Sequence, residues 1–291
     1  MREALVIGLS ALAAPSAFAA VEWQFNYATS TNHACTTSGA CPWTSTRTAS
    51  NVMAPGQATV TASGLSNTGG LNPVNADPIV NSTIGHLQSA YLPAWGSSGL
   101  GVINRDANTV LNNGSASDGG TVDNVEGAAV EHSMDSNQRY DAILFSFSSA
   151  VRLTGAKIGW YNTDSDITVL AYTGTNGCTP TAMLTGTGST ACKWGSLSGW
   201  THVGNYADLH TTANYRDVNT GASPLSSNYW IVGTYIPTYG SGWSAANDYV
   251  KLVSIYGEAG TTRRIVPEPG SILLLGIAAA GMWGARRMRT Q

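Results

Sequence analysis

Acidic side chains are the residues with the most evident capacity for chemistry. Asp118, Asp123, Glu126, Glu131, Asp135 and Asp141 fall close together, with Arg139 as the only base among them. Further on, Asp164-Ser165-Asp166 sets two carboxylates two residues apart. Oxygen-rich loops suit Ca²⁺, which takes roughly six to eight oxygen ligands. Asp123, Glu131, Asp135, Asp164 and Asp166 are therefore the candidate ligands of a structural Ca²⁺, the one cofactor the sequence suggests, although their spacing follows no EF-hand. The same residues have a plainer use. Asp135 before Ser136-Asn137, and Asp164 and Asp166 after Asn162-Thr163, are turn formers whose side chains bond nearby backbone N–H groups. Carboxyls about 5–9 Å apart would serve glycoside hydrolysis, for which Asp164 or Asp166 with Glu131 is the pair on offer.

Nucleophilic catalysis finds no footing. No G-x-S-x-G elbow is present, so no catalytic residue is assigned and an enzyme is not expected. Cys35, Cys41, Cys178 and Cys192 form an even set without a C-x-x-C metal spacing. Disulfides are expected, with three pairings open, and closeness in sequence favours Cys35–Cys41 and Cys178–Cys192. Aromatic residues crowd the last third, among them Trp194, Trp200, Tyr215, Trp230, Tyr235 and Trp243. They either fill a core short of Phe and Leu or offer flat faces on which sugar rings stack. Alternation along a strand prevents Tyr229 and Tyr235 from sharing a face with Trp230.

The elements that must position these groups read as strands. Residues 140–148 form a dense apolar run, expected to be buried on both faces. Residues 151–161 alternate and then shift phase across Gly155, the sequence mark of a β-bulge. Residues 167–172, 200–206, 229–236 and 249–256 are further β-branched and aromatic runs. The polar tracts 63–75 and 112–120 read as loops. No stretch of the body carries a 3.6-residue apolar period. The expected fold is all-β, a two-sheet β-sandwich of jelly-roll type, loop-rich over 20–124 and strand-rich over 125–260.

Composition limits the function classes. The 291 residues include 17 acidic and 14 basic, a net charge of −3, and only 11% are charged against about 25% in ordinary domains. That excludes coiled coils and helical bundles. With 43% apolar residues, nine Trp and twelve Tyr, the chain is not disordered. It carries no basic stripe, so nucleic acid is not an expected partner.

The two ends read as addresses. Residues 1–19 have the form of a secretory signal peptide: Arg2, an apolar stretch, then Ala17-Phe18-Ala19, placing cleavage before Ala20. At the other end, Pro267-Glu268-Pro269 precedes an apolar run at 272–285 and the cluster Arg286, Arg287, Arg289. As a helix, 272–285 reaches about 21 Å, short of the roughly 30 Å hydrocarbon core, so it is a marginal, transient inner-membrane anchor. Its Arg cluster favours the cytoplasmic side. The prolines hold the boundary extended, where a membrane-embedded processing enzyme can grip it.

This order of motif, short apolar helix and Arg cluster over 266–291 resembles the PEP-CTERM sorting tail of exosortase substrates in Gram-negative bacteria that make exopolysaccharide. The resemblance implies exosortase as processing partner, cleavage near Pro267, and delivery of the body (20–265) to the cell surface or extracellular matrix, with extracellular polysaccharide at hand. Glu131 to Asp135, Arg139 to Phe147, Lys157 to Trp160 and Asp164 to Asp166 also resemble a body type of exosortase-dependent surface proteins, which implies that location and no particular activity. The resulting expectation is a non-enzymatic structural or adhesive protein, with a carbohydrate-binding module and a secreted glycoside hydrolase as rivals.

Overall fold

A computed structural model describes residues 20–28, 43–69, 85–105, 132–137, 139–186, 192–212, 215–245 and 247–259. Their elements are β1 (Ala20–Gln24), β2 (Thr46–Thr48), β3 (Val60–Gly69), β4 (His86–Ala90), β5 (Met134–Asp135), β6 (Asp141–Thr163), β7 (Ile167–Tyr172), α1 (Pro180–Thr185), β8 (Trp200–Tyr206), β9 (Arg216–Asp217), β10 (Ser227–Thr234) and β11 (Asp248–Ala259). The chain is mostly β, as its β-branched and aromatic runs require. Its strands join one open antiparallel sheet, β1-β11-β6-β10-β7-β8, with β3 also on β6. One continuous ladder thus stands where two separate sheets were expected.

The organising element is β6, whose 23 residues merge the two runs read from the sequence. Its first half lies between β3 and β10, with Ala62 and Trp230 both opposite Phe145. Its second half pairs with β11, Ala156 opposite Ile255. Between the halves the register with β10 jumps from Ser146 to Val151, and strands change partners through such irregularities. The fold-over gives both halves one core. Phe25, placed just after β1, has its ring centroid 5.7 Å from that of Phe145, and Trp23 meets Phe147 edge-on at 4.9 Å. The phase shift at Gly155 is real: opposite it the ladder skips between Tyr256 and Gly257.

The run 140–148 is buried on both faces over 140–145, as expected, whereas Ser146 is half-buried and Ser148 exposed. Ile143, Phe145 and Phe147 join the large core, while Ala142 and Leu144 join a second one with Met183, Trp194 and Ile231. That second layer is closed by α1 and by Cys192, Trp194 and Leu197. Thr179 caps α1 through its Oγ1, which accepts from the Ala182 N–H at 3.2 Å. Pro180 sits at the first turn, and Gly186 ends the helix at φ +68°. The expected Cys178–Cys192 disulfide staples this cover, with its Cα atoms 5.0 Å apart. Cys35 and Cys41 lie outside the described residues.

The loop reading of 63–75 is corrected over its first part. Residues 63–69 belong to β3, paired with β6 and β4. Small residues are used there because the strands are crowded: a Cβ on Gly64 would lie 2.8 Å from the Ala90 carbonyl oxygen. On the outer edge β1 runs antiparallel to β11, with Ala20 opposite Glu258.

Candidate functional sites

Three carboxylates gather at one end of the ladder. Asp164 and Asp166 occupy the turn between β6 and β7, and Asp208 follows β8. One oxygen from each lies within 4.8 Å of the others. Asp248, the first residue of β11, is wholly buried behind them. The turn chemistry read from Asn162 to Asp166 is present. Ser165 N–H donates to Asp164 Oδ1 at 2.8 Å, Asp208 N–H to Asp166 Oδ1 at 2.8 Å, and Asp166 N–H to Asp248 Oδ1 at 2.8 Å. Thr163 and Asp208 take positive φ, +60° and +52°, a region Asp enters more readily than most residues.

Burial pushes the Asp248 carboxyl up to about 8, and the charges of Asp166 and Asp164 add to the rise against hydrogen bonds from the Asp166 backbone and Ser136. Burial also raises Asp166, with Asp164 and Asp208 contributing. An oxygen-only set is what a hard cation takes, and Asp164, Asp166 and Asp208 are the residues placed to offer it. Of the five ligands expected, only Asp164 and Asp166 meet in this group. Asp135 closes an Asx turn instead, its Oδ1 accepting from the Asn137 N–H at 2.9 Å. Asp123 and Glu131 lie outside the described residues. Asp208 was missed because its place beside Asp166 comes from the pairing of β8 with β7, more than 30 residues away in the chain.

The pair offered for glycoside hydrolysis, Asp164 or Asp166 with Glu131, is untested, because Glu131 lies outside the described residues. Asp248 has both oxygens engaged within the protein, Oδ1 by Asp166 N–H and Oδ2 by the Ser136 hydroxyl at 3.1 Å, and no surface through which to meet a substrate.

A second cluster surrounds Lys251. Its Nζ stands 3.7 Å from the Trp160 ring centroid and 5.6 Å from that of Trp95, and Trp95 stacks on His132 at 3.6 Å. Burial lowers the Lys251 ammonium to about 7. Burial, then the Lys251 charge, lower His132 to about 4. The rings compensate a buried cation in part, which makes this a strut between the sheet and the segment around Trp95.

The aromatics of the last third divide between core and surface, and both exposed ones stand outside the strands. Trp194, Trp230 and Tyr235 are core residues, whereas Tyr215 and Trp243 are exposed. Among the described residues no helix is long and apolar enough to cross a membrane. The signal-peptide residues Ala17 and Ala19, the motif Pro267-Glu268-Pro269, the run 272–285 and Arg286, Arg287 and Arg289 lie outside them, while Ala20 opens β1.

Fold and sequence together define a β-rich body followed by a C-terminal sorting signal. Residues 266–289 match the family model described as the PEP-CTERM protein-sorting motif. No curated protein and no solved structure matches the chain. The motif implies exosortase-mediated processing and export to the cell envelope or surface.

Proposed function

We propose that this chain is an exported cell-surface or extracellular-matrix protein, released from its tail by an exosortase, with a non-enzymatic structural or adhesive role beside exopolysaccharide. The observation that carries the reading is the match of residues 266–289 to the PEP-CTERM motif. The apolar run 272–285 holds the chain only transiently in the inner membrane, and the folded-over sheet serves as a sandwich of jelly-roll type. Two features favour a non-enzymatic role: the carboxylates at the end of the ladder cap backbone amides, and the most perturbed of them is sealed from solvent. The test is the intact mass of the exported protein from cells with and without their exosortase. A C-terminus near Pro267 only when the enzyme is present supports the proposal. Retention of Arg286–Gln291 in both strains overturns it.

A further inference from the structure

The outer face of β1, β11 and the second half of β6 carries a polar trough. Cross-strand register builds it in rows. Gln24, Ser254 and Lys157 stand side by side across the three strands, and Glu22, Tyr256 and Gly155 form the next row. The trough has a volume of about 280 Å³, and its lining includes Glu22, Gln24, Asn26, Lys157, Thr211 and Ser254. Burial alone would raise the Glu22 carboxyl. Hydrogen bonds from Tyr256, Gln24 and Ser254, together with the Lys157 charge, reverse that and hold it below the usual range. Tyr256 Oη donates to Glu22 Oε1 at 2.7 Å.

Beside the Glu22 row stands an aromatic platform. Tyr215 stacks on Tyr256, with centroids 4.4 Å apart and planes 25° apart, and remains 42% exposed. It lies over Gly155, where a Cβ would come 2.4 Å from Tyr215 Cδ2. The glycine at the bulge is therefore what lets this ring lie down on the sheet.

We infer that this trough and its tyrosine platform form a glycan-binding site. A sugar ring has an apolar face, which suits Tyr215, and a hydroxyl-rich edge, which suits the carboxylate, amide and ammonium groups of Glu22, Gln24 and Lys157. The opposed charges of Glu22 and Lys157 select against neither an acidic nor a basic sugar. The volume lies at the lower bound of small-molecule sites, room for one or two sugar units of a longer chain lying along the sheet. A protein partner would need the larger, more apolar patch of a stable interface, which these side chains do not offer.

This inference deepens the proposed matrix role and rests on it for the supply of ligand. It is tested on the full-length chain, apart from any processing. The probe is an immobilised panel of neutral, hexuronate and amino-sugar oligosaccharides. Retention by at least one class is expected, with Tyr215→Ala weakening it ten-fold or more, Gly155→Ala weakening it by displacing the ring, and Trp243→Ala leaving it unchanged. Tyr215 is a surface side chain, so its variant remains folded and decides the matter even if Gly155→Ala does not fold. No retention by any class, or retention indifferent to Tyr215→Ala, overturns the inference while leaving the exosortase reading intact.

Discussion

Asp248 holds the main chain of Asp166, accepting its N–H at 2.8 Å and tying the start of β11 to the turn between β6 and β7. An acid in this position, fully buried and facing Asp164 and Asp166, stays protonated when folded up to about pH 8, whereas unfolding returns it to an ordinary carboxyl near 4. Between those values the folded state binds the extra proton, so stability falls as pH rises. Over about pH 4 to 6.5 the depressed His132 contributes an opposite slope, so the Asp248 effect is read as a difference. In urea denaturation at pH 4.5, 6 and 7.5 the stability of the native protein relative to Asp248→Asn is expected to fall as pH rises.

Lys251 sets the opposite slope in the next window. Its folded value of about 7 lies below the ordinary value of 10.5, so the unfolded state binds the extra proton between them. Stability is then expected to rise with pH from about 7 toward 10. Lys251→Met removes that limb, and its effect is read from the same denaturation series extended to pH 9.5.

Asp208 is exposed and brings a third carboxylate to Asp164 and Asp166. Asn tolerates its positive φ and removes a like charge. Asp208→Asn is expected to stabilise by about a few tenths of a kcal/mol at a surface site, read as a raised midpoint of thermal unfolding. A lowered midpoint in calcium-free buffer would refute the repulsion argument.

Double replacement of Cys178 and Cys192 by Ala opens the 14-residue separation that closes the second core. Loss of about 3 kcal/mol is expected from a loop of this size, measured by denaturation with and without reductant. In the native protein, reductant alone should reproduce the loss.

The crowding at Gly64 gives a test of β3. A methyl group there meets backbone, not a mobile side chain, and overpacking costs about 1–3 kcal/mol. Gly64→Ala is therefore expected to lower the unfolding free energy by that amount, read from urea denaturation.

That glycine also marks where the sequence stopped being readable. Residues 140–148 and 167–172 announced themselves because apolar and β-branched side chains define a buried strand locally, and Gly155 announced its bulge through a change of phase. The stretch Ser63-Gly64-Leu65-Ser66-Asn67 is just as buried, but its small polar residues are required by neighbours more than 20 residues away. Composition gives a loop and a crowded central strand the same appearance. The acidic group divides in the same way. The turn roles of Asp135, Asp164 and Asp166 follow from their immediate neighbours, while Asp208 and Asp248 reach Asp166 only through strand pairing. The tyrosine platform was visible as an aromatic excess, but its exposed member could be told from the buried ones only by the register of β6 with β9 and β11.

The pairing of Ala20 with Glu258 brings the first and last strands of the body to one end of the sheet. A pull that separates those two ends loads the β1–β11 ladder one rung at a time, a peeling geometry that yields at low force. A load entering at the C-terminal end of β11 and leaving through a ligand held in the trough runs lengthwise along the strand, where many rungs resist together. The same edge is therefore weak as a hinge and strong as a tether, and the direction of tension decides which.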